Sequence, residues 1–222
     1  MAGDELLDVV DETGRHLGVA DRATVHAQGL WHQVFHLLVV ADRAGVPTAV
    51  LQRRARGKVT FPGLLDLSST GHLAAGEAPV DGVRELHEEL GVSVPPAALV
   101  PLGVHRIVDL TPEGTNRELA HVFLVHDDRP LLEYRPDPTE VDAVVDLPVV
   151  DGLDLLSGRR AELTVEMAAA GADRVDVLGI TAASFVPEPP GEGEDGAPAS
   201  TYWVTLLQLA ARSAAGEARL AI

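Results

Sequence analysis

The chain has 222 residues, 46% of them hydrophobic, with 17 Lys and Arg against 34 Asp and Glu for a net charge of −17, and no cysteine. That excludes disulfides, thiolate metal ligands and cysteine nucleophiles, and so acidic a chain, with one basic cluster, is a poor binder of long nucleic acids. The apolar content suffices for one core, no apolar run approaches the roughly 18 residues of a membrane span, and Met-Ala-Gly-Asp-Glu lacks the basic-then-apolar character of a secretion signal, so the expected location is the cytoplasm.

In chain order, Leu6 to Val10, the turn Asp11-Glu12-Thr13-Gly14 and Leu17 to Ala20 read as an N-terminal hairpin. A second hairpin is expected from Val34 to Ala41 and Thr48 to Leu51 around Asp42-Arg43-Ala44-Gly45. Leu65 to Ser69 reads as a strand leading into the turn at Gly71, and Pro79 to Leu90 as a helix with Pro near its start, Asp81 in its first turns and Gly91 just past its end. Leu102 to Leu110 is expected to pair with Leu119 to Val125 across a polar loop from Thr111 to Arg117, and Val141 to Leu147 is another strand. Asp151 to Ser157 reads as a short helix and Arg160 to Ala170 as a longer one closed by Gly171. Residues 187–199 read as a flexible acidic loop, and Ser200 or Thr201 as the cap of a helix (201–215) that packs Trp203, Leu206, Leu207 and Ala210 on the core. The order predicts an α/β sandwich, a mixed sheet with helices on both faces, in one domain spanning 1–222.

The helix from Pro79 to Leu90 carries the chemistry. A step of about 100° per residue gathers Glu85, Glu88 and Glu89 in one sector and places Val83, Leu86 and Leu90 roughly opposite. Carboxylates so crowded repel by roughly 1 to 4 kcal/mol per pair at 4 Å unless a cation sits among them. Oxygen ligands of this kind suit Mg²⁺, with Mn²⁺ as an alternative, shared with the phosphates of a substrate. A merely solvated acidic face is the bland alternative for any Glu-rich helix.

Gly71, Glu77, Arg84, Glu85, Leu86, Glu88, Glu89, Gly91 and Val92 resemble the Nudix box, Gly-x5-Glu-x7-Arg-Glu-aliphatic-x-Glu-Glu-x-Gly-aliphatic, although the segment Ala78 to Val83 between Glu77 and Arg84 is one residue short. The resemblance implies a Nudix-like α/β/α fold and a Mg²⁺-dependent hydrolase of a nucleoside diphosphate derivative or similar organic diphosphate. It also implies that Glu88 and Glu89 are the main metal ligands and Glu85 an auxiliary ligand or water-activating base. Arg84 is either an orienting ion-pair partner or an ordinary surface pair with Glu88 at i,i+4, and Glu77 supports the Arg or the metal.

A second similarity is to type I isopentenyl-diphosphate isomerases, through Arg53-Arg54-Ala55, Lys58, Phe61-Pro62-Gly63 and Gly71-His72. It implies that Arg54 and Lys58, with Arg53 and Arg56 as weaker candidates, hold substrate phosphate, a role that an otherwise anionic protein must supply locally. It also places His26, His32 and His72 near positions of a further metal site suited to Zn²⁺ or Mn²⁺, and Glu118 at an acidic ligand or general-base position. Three features depart from it, one being a spacing from His26 to His32 that is shorter by one residue. Thr70 stands where the isomerases use a cysteine, and Asn116 replaces a carboxylate; His32 and His36 can equally be residues alternating along a strand. Isomerase-like chemistry and a non-catalytic nucleotide sensor are therefore the alternative functions. Groups beyond the diphosphate would be read by segments outside the box, Val104 to Glu118 and the chain after Arg129. The sequence is compatible with a homodimer and does not specify one.

Overall fold

A computed structural model describes residues 5–111, 114–187 and 201–222. The acidic loop expected at 187–199 and the capping Ser200 lie, Pro187 apart, outside the described residues. Among the described residues eleven strands form one sheet in the order β11 (Asp176–Ile180), β10 (Leu163–Ala169), β9 (Val141–Pro148), β4 (Val46–Arg54), β3 (Trp31–Arg43), β1 (Leu6–Val10), β2 (His16–Asp21), with β5 (Leu65–Asp66) on β4, β6 (Ser69–His72) and β8 (Gly114–His126) on β3, and β7 (Val100–Thr111) on β8. β1 (Leu6–Val10) and β2 (His16–Asp21) are the N-terminal hairpin. β3 (Trp31–Arg43) turns through Ala44 and Gly45, both at positive φ, into β4 (Val46–Arg54). Two successive left-handed residues match the twist of the paired strands and make this tip tighter than the sequence suggested.

β3 organises the molecule. Its period of two sends Val34, Leu38 and Val40 to one face of the sheet and Phe35, Leu37, Val39 and Ala41 to the other, and both sets are buried. On the first face pack α3 (Val149–Leu156) and α4 (Thr201–Ala214), through Leu155, Trp203, Leu206, Leu207 and Ala210. On the second packs α2 (Arg84–Leu90), through Leu86 and Leu90. Each fully buried Leu or Phe contributes roughly 1.5 to 3 kcal/mol, so the sheet is clamped from both sides. The helix begins as a 3-10 turn over Pro79–Val83, where Gly82 lies against Phe35 so closely that a Cβ would stand 2.5 Å from the ring.

Several expectations need correction. The strand at Leu65 to Ser69 is two short strands, β5 (Leu65–Asp66) and β6 (Ser69–His72), because β5 pairs with β4 while β6 pairs with β3. The polar loop at Thr111 to Arg117 is mostly strand: β7 (Val100–Thr111) and β8 (Gly114–His126) stay paired through Thr111 and Gly114. The helix expected at Arg160 to Ala170 is β10 (Leu163–Ala169), paired with an unforeseen β11 (Asp176–Ile180) and with β9 (Val141–Pro148). Buried Leu163 and Val165 alternate there with exposed Thr164 and Glu166, a period of two rather than 3.6. Gly171, taken as a helix end, sits at φ +74 in the connection between these strands; left-handed glycine serves either purpose. One helix was not expected at all. α1 (Arg22–Gln28) is capped by Asp21, which accepts from Thr24 N at 2.9 Å and Thr24 Oγ1 at 2.8 Å, and is ended by Gly29 at φ +61.

Candidate active site

A cavity of about 570 Å³ opens where the start of α1, the first half of β3, β5 and β6, the face of β7 and β8, and the first turn of α4 meet. Glu85, Glu88 and Glu89 line it together with Arg84, Arg54, Lys58, His72 and Glu118. Gly71 makes room for the carboxylates: a Cβ there would stand 2.2 Å from Glu85 Cδ. Only glycine lets α2 lean onto β6.

Arg84 ties the cluster together. Its Nε and Nη2 donate to the two oxygens of Glu77 at 2.8 and 3.1 Å, Nη2 also donates to the carbonyl of His72 at 2.9 Å, and Nη1 donates to Glu85 and, at 3.3 Å, to Glu88. The forked bond to Glu77 raises the guanidinium pKa further above its ordinary range. A surface pair with Glu88 alone does not describe this arrangement, and Glu77 reaches Arg84 across the shortened segment.

The carboxylates themselves are strained electrostatically. Burial pushes Glu85 up to about 7, Arg84 opposing and Glu88 adding to the shift. Burial pushes Glu89 up to about 8, with Glu85 adding to it and with hydrogen bonds from Thr70 N at 3.1 Å and Gln52 Nε2 at 3.3 Å opposing it. Buried carboxylates that resist ionisation next to a third are short of positive charge. This is what a divalent cation would supply, and the all-oxygen donor set fits Mg²⁺ or Mn²⁺.

The expected phosphate-binding cations divide. Arg54 lines the cavity, held by Asp66 Oδ2 at 2.8 Å and by Thr60 O at 3.1 Å and Oγ1 at 3.2 Å. Lys58 lines it too, paired with Glu140. Arg53, one step along the strand, does not line it, and Arg56 is exposed with Asp142 at 3.9 Å. Arg22, which sequence reasoning passed over, does line it, near Glu5 at 3.3 Å. The missed signal was the pairing of Asp21 and Gly29 as helix caps. That short helix sets Arg22 and His26, four apart, on one face.

The histidines come together. His26, His32 and His72 offer ligand atoms that all lie within 4.8 Å of one another, with 3.2 Å between the Nε2 atoms of His26 and His72. His32 Nδ1 hydrogen-bonds to the carbonyl of Leu30 at 3.1 Å, which fixes the tautomer and leaves Nε2 as a buried lone pair with no hydrogen-bond partner among the described residues. Glu118 stands 3.8 Å from that atom. Burial, first of all, keeps His32 below its usual pKa and His72 well below it, so both are neutral near pH 7, as ligation requires. The orphaned Nε2 and the three-imidazole set fit a Zn²⁺ or Mn²⁺ ion. His36 does not join this group; it turns to α4 instead.

The NUDIX domain family model matches residues 30–166. The chain belongs to the Nudix family. Among relatives of this Nudix protein, an uncharacterized Nudix hydrolase of Clostridium acetobutylicum is 34% identical over 146 residues, 66% of this chain and 71% of that protein. The isopentenyl-diphosphate Delta-isomerase of Cutibacterium acnes is 33% identical over 170 residues, covering 72% and 82%. Among solved structures, DR0079 from Deinococcus radiodurans overlays with a TM-score of 0.53 at 22% identity, over 76% of this chain and 94% of that one, a likeness of fold. No helix among the described residues is long and apolar enough to cross a membrane.

Proposed function

We propose that this Nudix hydrolase cleaves the diphosphate linkage of an organic diphosphate by attack of water at phosphorus, with a divalent metal held by Glu85, Glu88 and Glu89. The observation that carries the reading is the meeting of these three carboxylates with Arg22, Arg54 and Lys58 in one cavity. When bound, Mg²⁺ would neutralise phosphate charge and polarise the phosphorus toward attack. The chain's own groups do the rest. Arg22, Arg54 and Lys58 hold the phosphates, and Arg84, braced by Glu77, orients Glu85 and Glu88. Glu85, the lesser metal contact of the three and held by Arg84, takes a proton from the attacking water. Glu118, beside His32, is the other candidate base.

One observation favours a second reading. The histidine cluster with Glu118 adjacent, together with the similarity to isopentenyl-diphosphate isomerases, supports isomerase-like chemistry at a second metal; Thr70 in place of the expected cysteine opposes it. Product analysis decides. Nucleoside diphosphate derivatives, dinucleotides and isoprenoid diphosphates are incubated with and without Mg²⁺, for the natural chain and Glu88→Gln. Metal-dependent cleavage of the diphosphate (phosphoanhydride) linkage lost in Glu88→Gln supports hydrolysis, an isomerised diphosphate overturns it in favour of the second reading, and binding without product points to a ligand sensor.

A further inference from the structure

One wall of the cavity lies outside the matched region 30–166 and comes from the first turn of α4. Tyr202 Oη is 2.8 Å from His36 Nδ1, and the Tyr202 ring lies parallel to the His105 ring, 5° apart in plane with centroids 4.2 Å apart. Trp203 beside it is buried, donates from Nε1 to the carbonyl of Val186 at 3.0 Å and meets Phe185 edge-on at 5.2 Å. Two side chains of unequal strength, one hydrogen-bonded and one stacked, thus fix the tyrosine in a single orientation.

The wall has a different character from the rest of the cavity. His36 and Val34 share a face of β3, and His105 and Ile107 a face of β7, and with Tyr202 and Trp203 they line a part of the cavity that holds no cation and is edged by the carboxylates of Asp109 and Glu118. Burial holds both histidines neutral at pH 7. The patch is close to the carboxylates: His36 pairs with Thr70 across β3 and β6, and Thr70 N donates to Glu89. A ligand with phosphates among Arg22, Arg54 and Lys58 therefore extends its other group onto rings. An anionic group placed there would lose its hydration beside the carboxylates of Asp109 and Glu118, whereas an uncharged group gains stacking and apolar contact.

Resting on the hydrolase reading above, we propose that Tyr202 is a specificity-determining residue of this site. Its ring is the surface on which the uncharged organic group of the substrate packs, and it turns away groups bearing further phosphate. The test compares kcat and KM for a short-chain alkenyl diphosphate and a nucleoside triphosphate in the natural chain, Tyr202→Phe, Tyr202→Ala and Ser213→Ala. Ser213 hydrogen-bonds to His126 at 2.8 Å farther along α4 and does not line the cavity, so its variant reports loosening of the helix alone. The expected result is a KM for the alkenyl substrate raised about tenfold or more in Tyr202→Ala, with kcat changed far less and the preference over the triphosphate reduced in proportion. Tyr202→Phe, which keeps the stacked ring, should restore most of the preference, and Ser213→Ala should leave it intact. An unchanged preference in Tyr202→Ala, or an equal loss in Ser213→Ala, overturns the assignment. Should Tyr202→Ala fail to fold, Tyr202→Leu removes the aromatic stack while keeping the bulk. If the natural chain turns over neither compound, affinities of the same proteins for methylene-diphosphonate analogues decide the role of Tyr202, and the hydrolase reading is decided separately by the wider panel of diphosphates above.

Discussion

Glu85, Glu88 and Glu89 share one short helix, whereas His26, His32 and His72 come from α1, β3 and β6, yet both groups line or border a single cavity. The carboxylates are related by helical period and are braced by an arginine from their own helix. The histidines are related by sheet register and packing, and none of their spacings follows one period. The contrast separates two kinds of candidate metal site: one that local sequence writes out, and one that exists only when three elements dock. It also separates ligand chemistry, hard oxygen against imidazole nitrogen.

The largest effect that would sharpen this contrast is on catalysis. Glu88→Gln should lower kcat about 100-fold or more, roughly 2.7 kcal/mol on the barrier, measured under saturating Mg²⁺; a fall of less than about threefold would remove Glu88 from the metal set. Arg84→Ala should cost about 10- to 100-fold in activity or metal affinity, as outer-shell partners do. An effect of only a few tenths of a kcal/mol would return Arg84 to the rank of a surface i,i+4 pair. His32→Ala tests the other cluster. Titration with Mn²⁺ or Zn²⁺ should lose its tight phase, about 10-fold or more in affinity, while half-saturation by Mg²⁺ stays put; parallel loss of both would merge the two sites into one.

A pH experiment probes the carboxylates without substrate. Glu89 rises from an ordinary 4.5 to about 8 on folding, so between those values the folded chain holds a proton that the unfolded chain has released, and stability falls as pH rises. Relative to Glu89→Gln, the metal-free protein should be most stable below about pH 4.5 and lose that advantage as pH passes 8. Thermal melting would read this directly, and Mg²⁺ should recover more stability at pH 8 than at pH 5. A difference between the two proteins that does not vary with pH would contradict the burial argument. The smallest expected effect is that of Arg53→Ala, whose side chain does not line the cavity: KM should move by less than about twofold, against a clear rise for Arg54→Ala or Arg22→Ala.

The uneven legibility of the sequence follows the same division. The carboxylate helix could be read because its period, its Pro start and its Gly91 end lie within one contiguous stretch. The β10–β11 hairpin was mistaken for a helix because Gly171 suits either ending and β11, Asp-Val-Leu-Gly-Ile with an exposed Val177, shows no apolar and polar alternation. α1 was overlooked although Asp21 and Gly29 bracket it, and with it went Arg22. The histidine cluster could be suggested only by resemblance, since no rule of spacing brings His26 to His72. Tyr202 lay wholly beyond reach, as its partners His36 and His105 are set by tertiary docking.

That last contact joins residues 166 positions apart. Loop closure over such a span costs more than over a short one, and contacts so distant in sequence form slowly. The apolar residues on which the carboxylate helix packs all precede residue 170, while the aromatic wall needs α4 and so forms only after α4 has left the ribosome. During synthesis the protein therefore passes through a stage in which its charged machinery is assembled and its selectivity is not.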